Sequence, residues 1–413
     1  MARLFPGSAR KRVLAILFAI PCLATLLMAF HVEEGWRGRR AWAAYQNAAL
    51  QRGVKLTLAE FLPPPVPDPE NFAALPIFQV SSGPLQNGQP ASEIFALPSN
   101  HAARPGATDL LKARRIDLVA WRDFFVESQW LEAPGPDAAR DLLHALDRFA
   151  PALRQIRDAG ARPSSRFPLG WDERLHATPP HLKICQDATA LLGLRMSAHL
   201  TLREPAAAYA DFSDGLTLYR GLRNEPVLMS GLVRLAILNR LINGLWDGLA
   251  GQQWEEPQLR ALQKDLNKLK LMEDYRFSIE SERAGINSLL NALKQTGRHA
   301  SFPWFPLPSA GLSLRPPFPP ESPELANAYP GGWLLQNQLL INQRFDEMLS
   351  RIDPKTSIAR LDSPQISDDS AWRRFYHAPA RALLPSFEPV TAQYLATQSR
   401  VAAVDNRLRA QRY

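Results

Sequence analysis

Eighteen consecutive residues, Val13 to Phe30, carry no charge, and the basic cluster Arg10, Lys11 and Arg12 stands directly before them. At a helical rise of ~1.5 Å per residue this run spans about 27 Å, close to the hydrocarbon thickness of a bilayer. Nothing downstream is comparably apolar, so the pattern predicts one transmembrane helix over 13–30 carrying a large water-exposed domain. A cleaved secretory signal has a shorter apolar core ending at a small-x-small site, and the exit Met28-Ala29-Phe30-His31 offers none. A lipid-modified Cys22 would need a small residue where Pro21 stands. The residues therefore favour a retained signal-anchor. A short basic N-terminus places residues 1–12 in the cytoplasm and the main domain outside, although Arg37, Arg39 and Arg40 make the charge bias slight.

Beyond the anchor, periodicity is helical almost throughout. Residues 31–62 predict juxtamembrane helices, with Trp42 and Tyr45 three apart at headgroup level and Gly53 as a stop. Thr57 and Glu60 fit a capping box. Residues 63–108 predict a proline-rich spacer and coil. Pro63, Pro64, Pro65, Pro67 and Pro69 favour a stiff extended rod over a docking ligand, and a short strand is expected around Ile77–Val80.

Residues 109–413 predict an α-helical extracytoplasmic domain. Asp117 caps a helix bearing Val119, Trp121, Phe124 and Phe125, and Pro136-Asp137 opens another with Leu142, Leu143, Leu146 and Phe149. Pro151 restarts that helix and Gly160 ends it. Helices over 180–202 and 205–222, split by Arg203-Glu204-Pro205, predict an antiparallel hairpin, and Val227–Ala250 is the central helix. Further helices follow from Pro257, over Met272–Thr296, Trp333–Ile352, Asp369–Leu384 and Glu388–Arg412. A proline-rich, aromatic loop over 302–330 is expected to pack on the helices. No 34-residue repeat is visible, so the expected fold is mainly α, an irregular multi-helix bundle with hairpins and long proline-rich loops.

Charge changes the picture less than its total suggests. The chain carries a formal net charge of +8, of which residues 1–40 hold +5 and residues 400–413 hold +3, leaving the body neutral. A nucleic-acid partner needs a concentrated basic surface, so none is expected. The two cysteines include Cys22 in the anchor, which leaves Cys185 alone outside it with no disulfide partner.

Trp42, Tyr45, Gly53 and the block Pro63-Pro-Pro-Val-Pro-Asp-Pro-Glu-Asn71-Phe72-Ala73 resemble a group of uncharacterised bacterial single-anchor envelope proteins with a Trp-x-x-Tyr helix and a Pro-Val-Pro-Asp-x-x-Asn-Phe-Ala segment. Glu282-Arg283-Ala284 is similar too. The resemblance covers about 40 residues closely. It implies a single-pass protein of the bacterial inner membrane with a periplasmic helical body, and no activity. Such proteins often continue past an Arg-Tyr into a short tail, which would make this chain a truncated one; a chain ending in a helix fits equally.

Few residues offer chemistry. Glu282 falls on the stripe Tyr275, Ile279, Ile286, Leu290 and Leu293, where a carboxylate must be paired or protonated, and Arg234 or Arg240 would pair with it. His181 and Cys185 share a helix face near His176, but zinc needs three or four ligands and no second His/Cys cluster exists. His199 is too far along the helix to join them. Asp68 and Asn71 suit a turn that bonds its own backbone. Nucleophile elbows, Ser-x-x-Lys sites with their companion motifs and phosphate loops are missing. No catalytic, cofactor or metal residue is therefore assigned, and no cofactor is expected. The reading that fits is a membrane-anchored extracytoplasmic interaction or scaffold protein with a protein partner in the cell envelope. The alternative is an envelope hydrolase or ligand-binding enzyme with a site near Glu282.

Overall fold

A computed structural model describes residues 7–79, 94–98, 105, 116–167, 179–296, 331–353, 358–359, 370–384 and 386–412. Val80, His176, Gly297, Asp369, the 302–330 loop and the Leu293 side chain lie outside the described residues. The protein is mainly α, as the periodicity predicts. Contacts divide it into two units, one of residues 1–60, 283–348 and 364–385, the other of residues 61–282, 349–363 and 386–413.

In the first unit, the apolar run and the juxtamembrane segment form one uninterrupted helix, α1 (Gly7–Gln51). Pro21 does not break it; Thr25 Oγ1 donates to the Pro21 carbonyl at 2.8 Å inside the apolar run. Gly53, at φ +70°, ends α1: its N–H and that of Val54 bond back to the Leu50 and Ala49 carbonyls. The apolar part is exposed, whereas Glu34, Trp42 and Ala49 are buried. Burial in α1 therefore begins at residue 34. Trp42 correspondingly stacks on Tyr45 at 5.6 Å inside the unit, whereas Trp36 of α1 is exposed. Two further helices, α9 (Leu271–Thr296, from Arg283 on) and α10 (Gly331–Ser350), complete this unit with the short α11 (Ala371–Tyr376) and α12 (Ala378–Leu383).

Polar side chains clamp α1 to α10. Glu34 accepts from Trp333 Nε1 at 3.1 Å and Gln336 at 2.8 Å. Asp346 accepts from Tyr45 at 2.9 Å, Arg52 at 3.0 Å and Arg283 at 2.9 Å. Between these ends, Asn287 and Asn342 exchange bonds of 2.8 and 3.0 Å, and Gln338 donates to Asn287 at 3.0 Å. Such a ladder stabilises only when every member is satisfied.

The second unit opens on the proline block. Residues 63–67 are extended, but Asp68–Glu70, Phe72–Ala74 and Pro76–Phe78 are short 3-10 turns with Phe72, Ile77 and Phe78 buried. The segment after Pro67 is thus folded onto its unit by turns, not held off it as a spacer, and the strand expected at Ile77 is a 3-10 turn opened by Pro76, whose missing N–H and fixed φ suit a turn better than a ladder. Asn71 caps its own turn, accepting from Ala73 N at 3.1 Å, and binds the Arg166 backbone at 2.8 and 3.0 Å. Arg162 holds the Asp68 and Asn71 carbonyls. The distinctive Pro-Asp-Pro-Glu-Asn-Phe-Ala segment is a structural staple.

Helices α2 (Leu118–Glu127), α3 (Ala138–Leu146) and α4 (Ala150–Asp158) follow, the first two capped by Asp117 and Asp137. Trp121, Phe124 and Phe125 are buried, whereas Val119 is exposed. Helices α5 (Pro180–Thr201) and α6 (Pro205–Gly221) form the expected hairpin, packed on α7 (Leu228–Ala250). Its turn is a Schellman motif with Arg203 at φ +58°: Glu204 N bonds to the His199 carbonyl and Arg203 N to that of Leu200. α8 (Glu256–Leu266) and the C-terminal α13 (Phe387–Arg412) close the bundle, α13 lying along α7 and α8. A two-residue antiparallel pair, Ile352–Asp353 with Ile358–Ala359, replaces the expected helical end at Ile352.

Two helices among the described residues are long and apolar enough to cross a membrane, and their environments differ. The α1 segment has none of its apolar window buried, whereas the α7 window is 67% buried among helices. α7 is the core helix of its unit and α1 the candidate membrane anchor.

Candidate functional site

Several buried carboxylates of the second unit are paired with cations from another helix. Arg234, buried in α7, donates to Asp274 at 2.7 Å and to the Tyr219 carbonyl at 3.1 Å, and lies over the Tyr219 ring. Tyr219 OH also donates to Asp274, at 2.9 Å. Beside this cluster Tyr275 stacks on Tyr394 at 4.4 Å and shares a 2.6 Å hydrogen bond with Thr391. At the α5–α6 hairpin, Asp211 faces Arg195 at 3.2 Å and His199 at 3.7 Å, and Asp214 faces Arg157 at 2.7 Å. Burial pushes both carboxyls up, and the arginines pull them down.

Glu282 does not meet either expected partner, since Arg234 is taken by Asp274 and Arg240 donates to the Gln186 carbonyl at 2.9 Å. Instead Glu282 accepts from Leu228 N at 3.3 Å, at the first turn of α7. An acceptor there satisfies an orphan amide and meets the positive end of the helix dipole. Burial nevertheless raises its carboxyl above the ordinary value. A raised pKa means that the ionised form costs stability as pH rises through it. Glu282→Gln keeps the acceptor and removes the charge, so at pH 7 its unfolding midpoint in urea is expected at or slightly above wild type.

His181 and Cys185 are both buried. His181 Nε2 lies 2.6 Å from Glu225 Oε1 and its ring stacks on Phe167 at 3.9 Å, while Ser230 Oγ donates to Glu225 at 2.5 Å. The histidine and the serine both approach the carboxylate, so neither activates the other as a Ser-His-acid relay would. Burial, followed by the Glu225 charge, pushes the Cys185 thiol up, away from the reactive thiolate. Among the described residues, no group of three or more His, Cys, Asp or Glu is placed to hold a metal ion.

The structure does bring together a cleft that the sequence did not indicate. It lies between α5 and α7, with a free volume of about 190 Å³. Its lining combines apolar Phe95, Leu97, Ile116 and Trp121 with polar and charged Lys183, Asp187, Arg240, Asn243 and Asp247. Lys183 pairs with Asp187, and burial lowers the Arg240 pKa against the pull of Asp187. Gly193 lines the cleft, and a Cβ built on it meets nothing within 4 Å. An apolar lining with a few charges is the usual make-up of a site that orients a small group or a side chain. Spacing gave no hint of it, because its two helices become neighbours only through the α6 crossover.

Three phenols, Tyr394 buried and Tyr45 and Tyr209 partly so, lead to an expected loss of stability at high pH. Burial is the first cause raising Tyr45, Tyr209 and Tyr394 from 10.0 to about 12, with a neighbouring carboxylate adding to the shift at each. These pKa values are higher folded than unfolded, so the stability they confer is complete below pH 10 and lost toward pH 12. Phenolate absorbance followed against pH is expected to lag that of the denatured chain, then rise together with loss of helical circular dichroism.

Comparison of the chain with protein-family models, curated proteins and solved structures gives no match. The fold and sites therefore define its class: a mainly α protein with a candidate N-terminal membrane anchor.

Proposed function

We propose that this is a membrane-anchored extracytoplasmic α-helical interaction protein, a scaffold or adaptor of the bacterial envelope, and that the α5–α7 cleft receives a side chain or short segment of a protein partner. The observation that supports this reading is the continuity of α1, which leaves the apolar run and enters the body without a break. A helix clamped at Glu34 and Asp346 presents its unit to the membrane surface in one orientation. The short basic N-terminus argues for a cytoplasmic start and a periplasmic body, and the neutral body argues against nucleic acid. The hydrolase alternative needs a deep polar pocket joining Glu282 to an arginine and a histidine; the cleft does not include Glu282.

The test is site-specific photocrosslinking in intact cells of the full-length chain, with the probe at Lys183 on the cleft rim. A discrete protein adduct is expected, abolished by Gly193→Phe, which plugs the open side of the cleft. Gly193→Ala should retain it and, by helix propensity, stabilise the chain by up to about 1 kcal/mol. If no adduct forms and the protein leaves the membrane alone, the interaction reading fails.

A further inference from the structure

Where the candidate span ends, the first unit gathers aromatic rings. Phe30, the last residue of the apolar run, meets Trp333 edge-to-face at 5.9 Å, and Trp333 meets Trp372 of α11 at 5.3 Å. Trp333 is buried with its N–H on Glu34, but Trp372 is 59% exposed and Trp36 is 54% exposed. Arg40 lies over the Trp36 ring at 5.3 Å, and Arg373 beside Trp372 is exposed. Trp333 touches residues 30 and 34, so it stands within about 6 Å of the end of the apolar run along the helix axis. That is headgroup depth.

We infer that α11 is a second membrane contact: Trp372 and Arg373, with Trp36 and Arg40, form a foot that rests in the phospholipid headgroup layer beside the anchor. This rests on the membrane-anchor reading. The chemistry fits that occupant. Indole rings partition to the interface, where the ring is partly dehydrated, and guanidinium groups bind lipid phosphates. Continuity decides it: the ring contacts run from the hydrocarbon end of α1 outward to Trp372. A single helix can tilt and swivel, and a second contact a few residues away in depth removes that freedom. The sequence places Trp372 some 340 residues from the anchor, and only the fold brings them to one level.

The experiment uses the full-length chain in nanodiscs containing phosphatidylglycerol, with a benzophenone amino acid at position 17, 372 or 50 in turn. Leu17 lies in the apolar run, and Leu50 is an exposed position on α1 about 30 Å beyond Phe30. Phospholipid adducts are read by mass. Adducts at 17 and 372 with none at 50 are expected, and Arg373→Glu with Arg40→Glu should lower the yield at 372 several-fold while sparing 17. An adduct at 17 without one at 372, or an adduct at 372 to a second copy of the chain, overturns the foot and leaves the anchor standing. No adduct at 17 overturns the anchor itself. Should the probe at 372 prevent folding, position 373 serves in its place.

Discussion

Arg234→Ala is expected to destabilise the second unit by about 3–5 kcal/mol, the usual cost of removing one partner of a buried ion pair. Arg234 is 3% exposed and Asp274 is 5% exposed. The substitution strands Asp274, leaving it the Tyr219 hydroxyl and the half-exposed Arg223, 3.2 Å away. It also removes the donor to the Tyr219 carbonyl. Urea unfolding followed by circular dichroism measures the loss. Replacing both partners together, Arg234→Met with Asp274→Leu, is expected to recover much of it, because no uncompensated charge then remains. A double variant as unstable as the single one would show that the pair does more than neutralise itself. Arg234 and Asp274 would then be needed for helix register.

Gly332→Ala is expected to loosen α10 from α1. A Cβ at Gly332 would stand 2.1 Å from the Glu34 carbonyl oxygen and 2.6 Å from Gly35 N, and one at Gly38 would stand 2.4 Å from the Gly332 carbonyl oxygen. These neighbours are backbone atoms, so no rotamer change relieves the clash and the helices must separate. Overpacking costs about 1–3 kcal/mol and more where the backbone must move. The separation also stretches the Glu34 bonds to Trp333 and Gln336. Limited proteolysis of the full-length protein is expected to cut between α1 and α10 more rapidly in Gly332→Ala than in wild type. Gly193→Ala, whose Cβ meets nothing, is the matched control for helix propensity. Equal proteolysis of all three proteins would remove the close approach from the account.

Several residues remote from the cleft have a clear packing role. Asn71 and Phe72 staple the proline block to the body, and Arg283 and Tyr45 share Asp346. None touches the cleft between α5 and α7. In the structure these side chains hold one segment of their unit to another.

Local signals were sufficient wherever a residue acts on its own neighbours. The caps at Asp117 and Asp137, Pro205 at a helix start and Gly53 at a helix end are each written within a few positions, and each element stands where they put it. One other helix stop was less visible, because Gln129 occupies the left-handed position that glycine usually announces. Pairings across the chain were not legible. Glu282 sits on an apolar stripe, yet which amide or guanidinium it meets depends on how α7 and α9 cross, and the choice of Asp274 for Arg234 follows from the same crossing. The continuity of α1 into the body, the α5–α7 cleft and the approach of Trp372 to Phe30 belong to the same class. Which segments are helical, and which one is apolar enough for a bilayer, can be read along the chain, since periodicity and transfer free energy sum over neighbouring residues. Which charges are neutralised and which faces are left open emerge with the packing of the helices, since burial and Coulomb energy depend on distances that sequence separation does not encode.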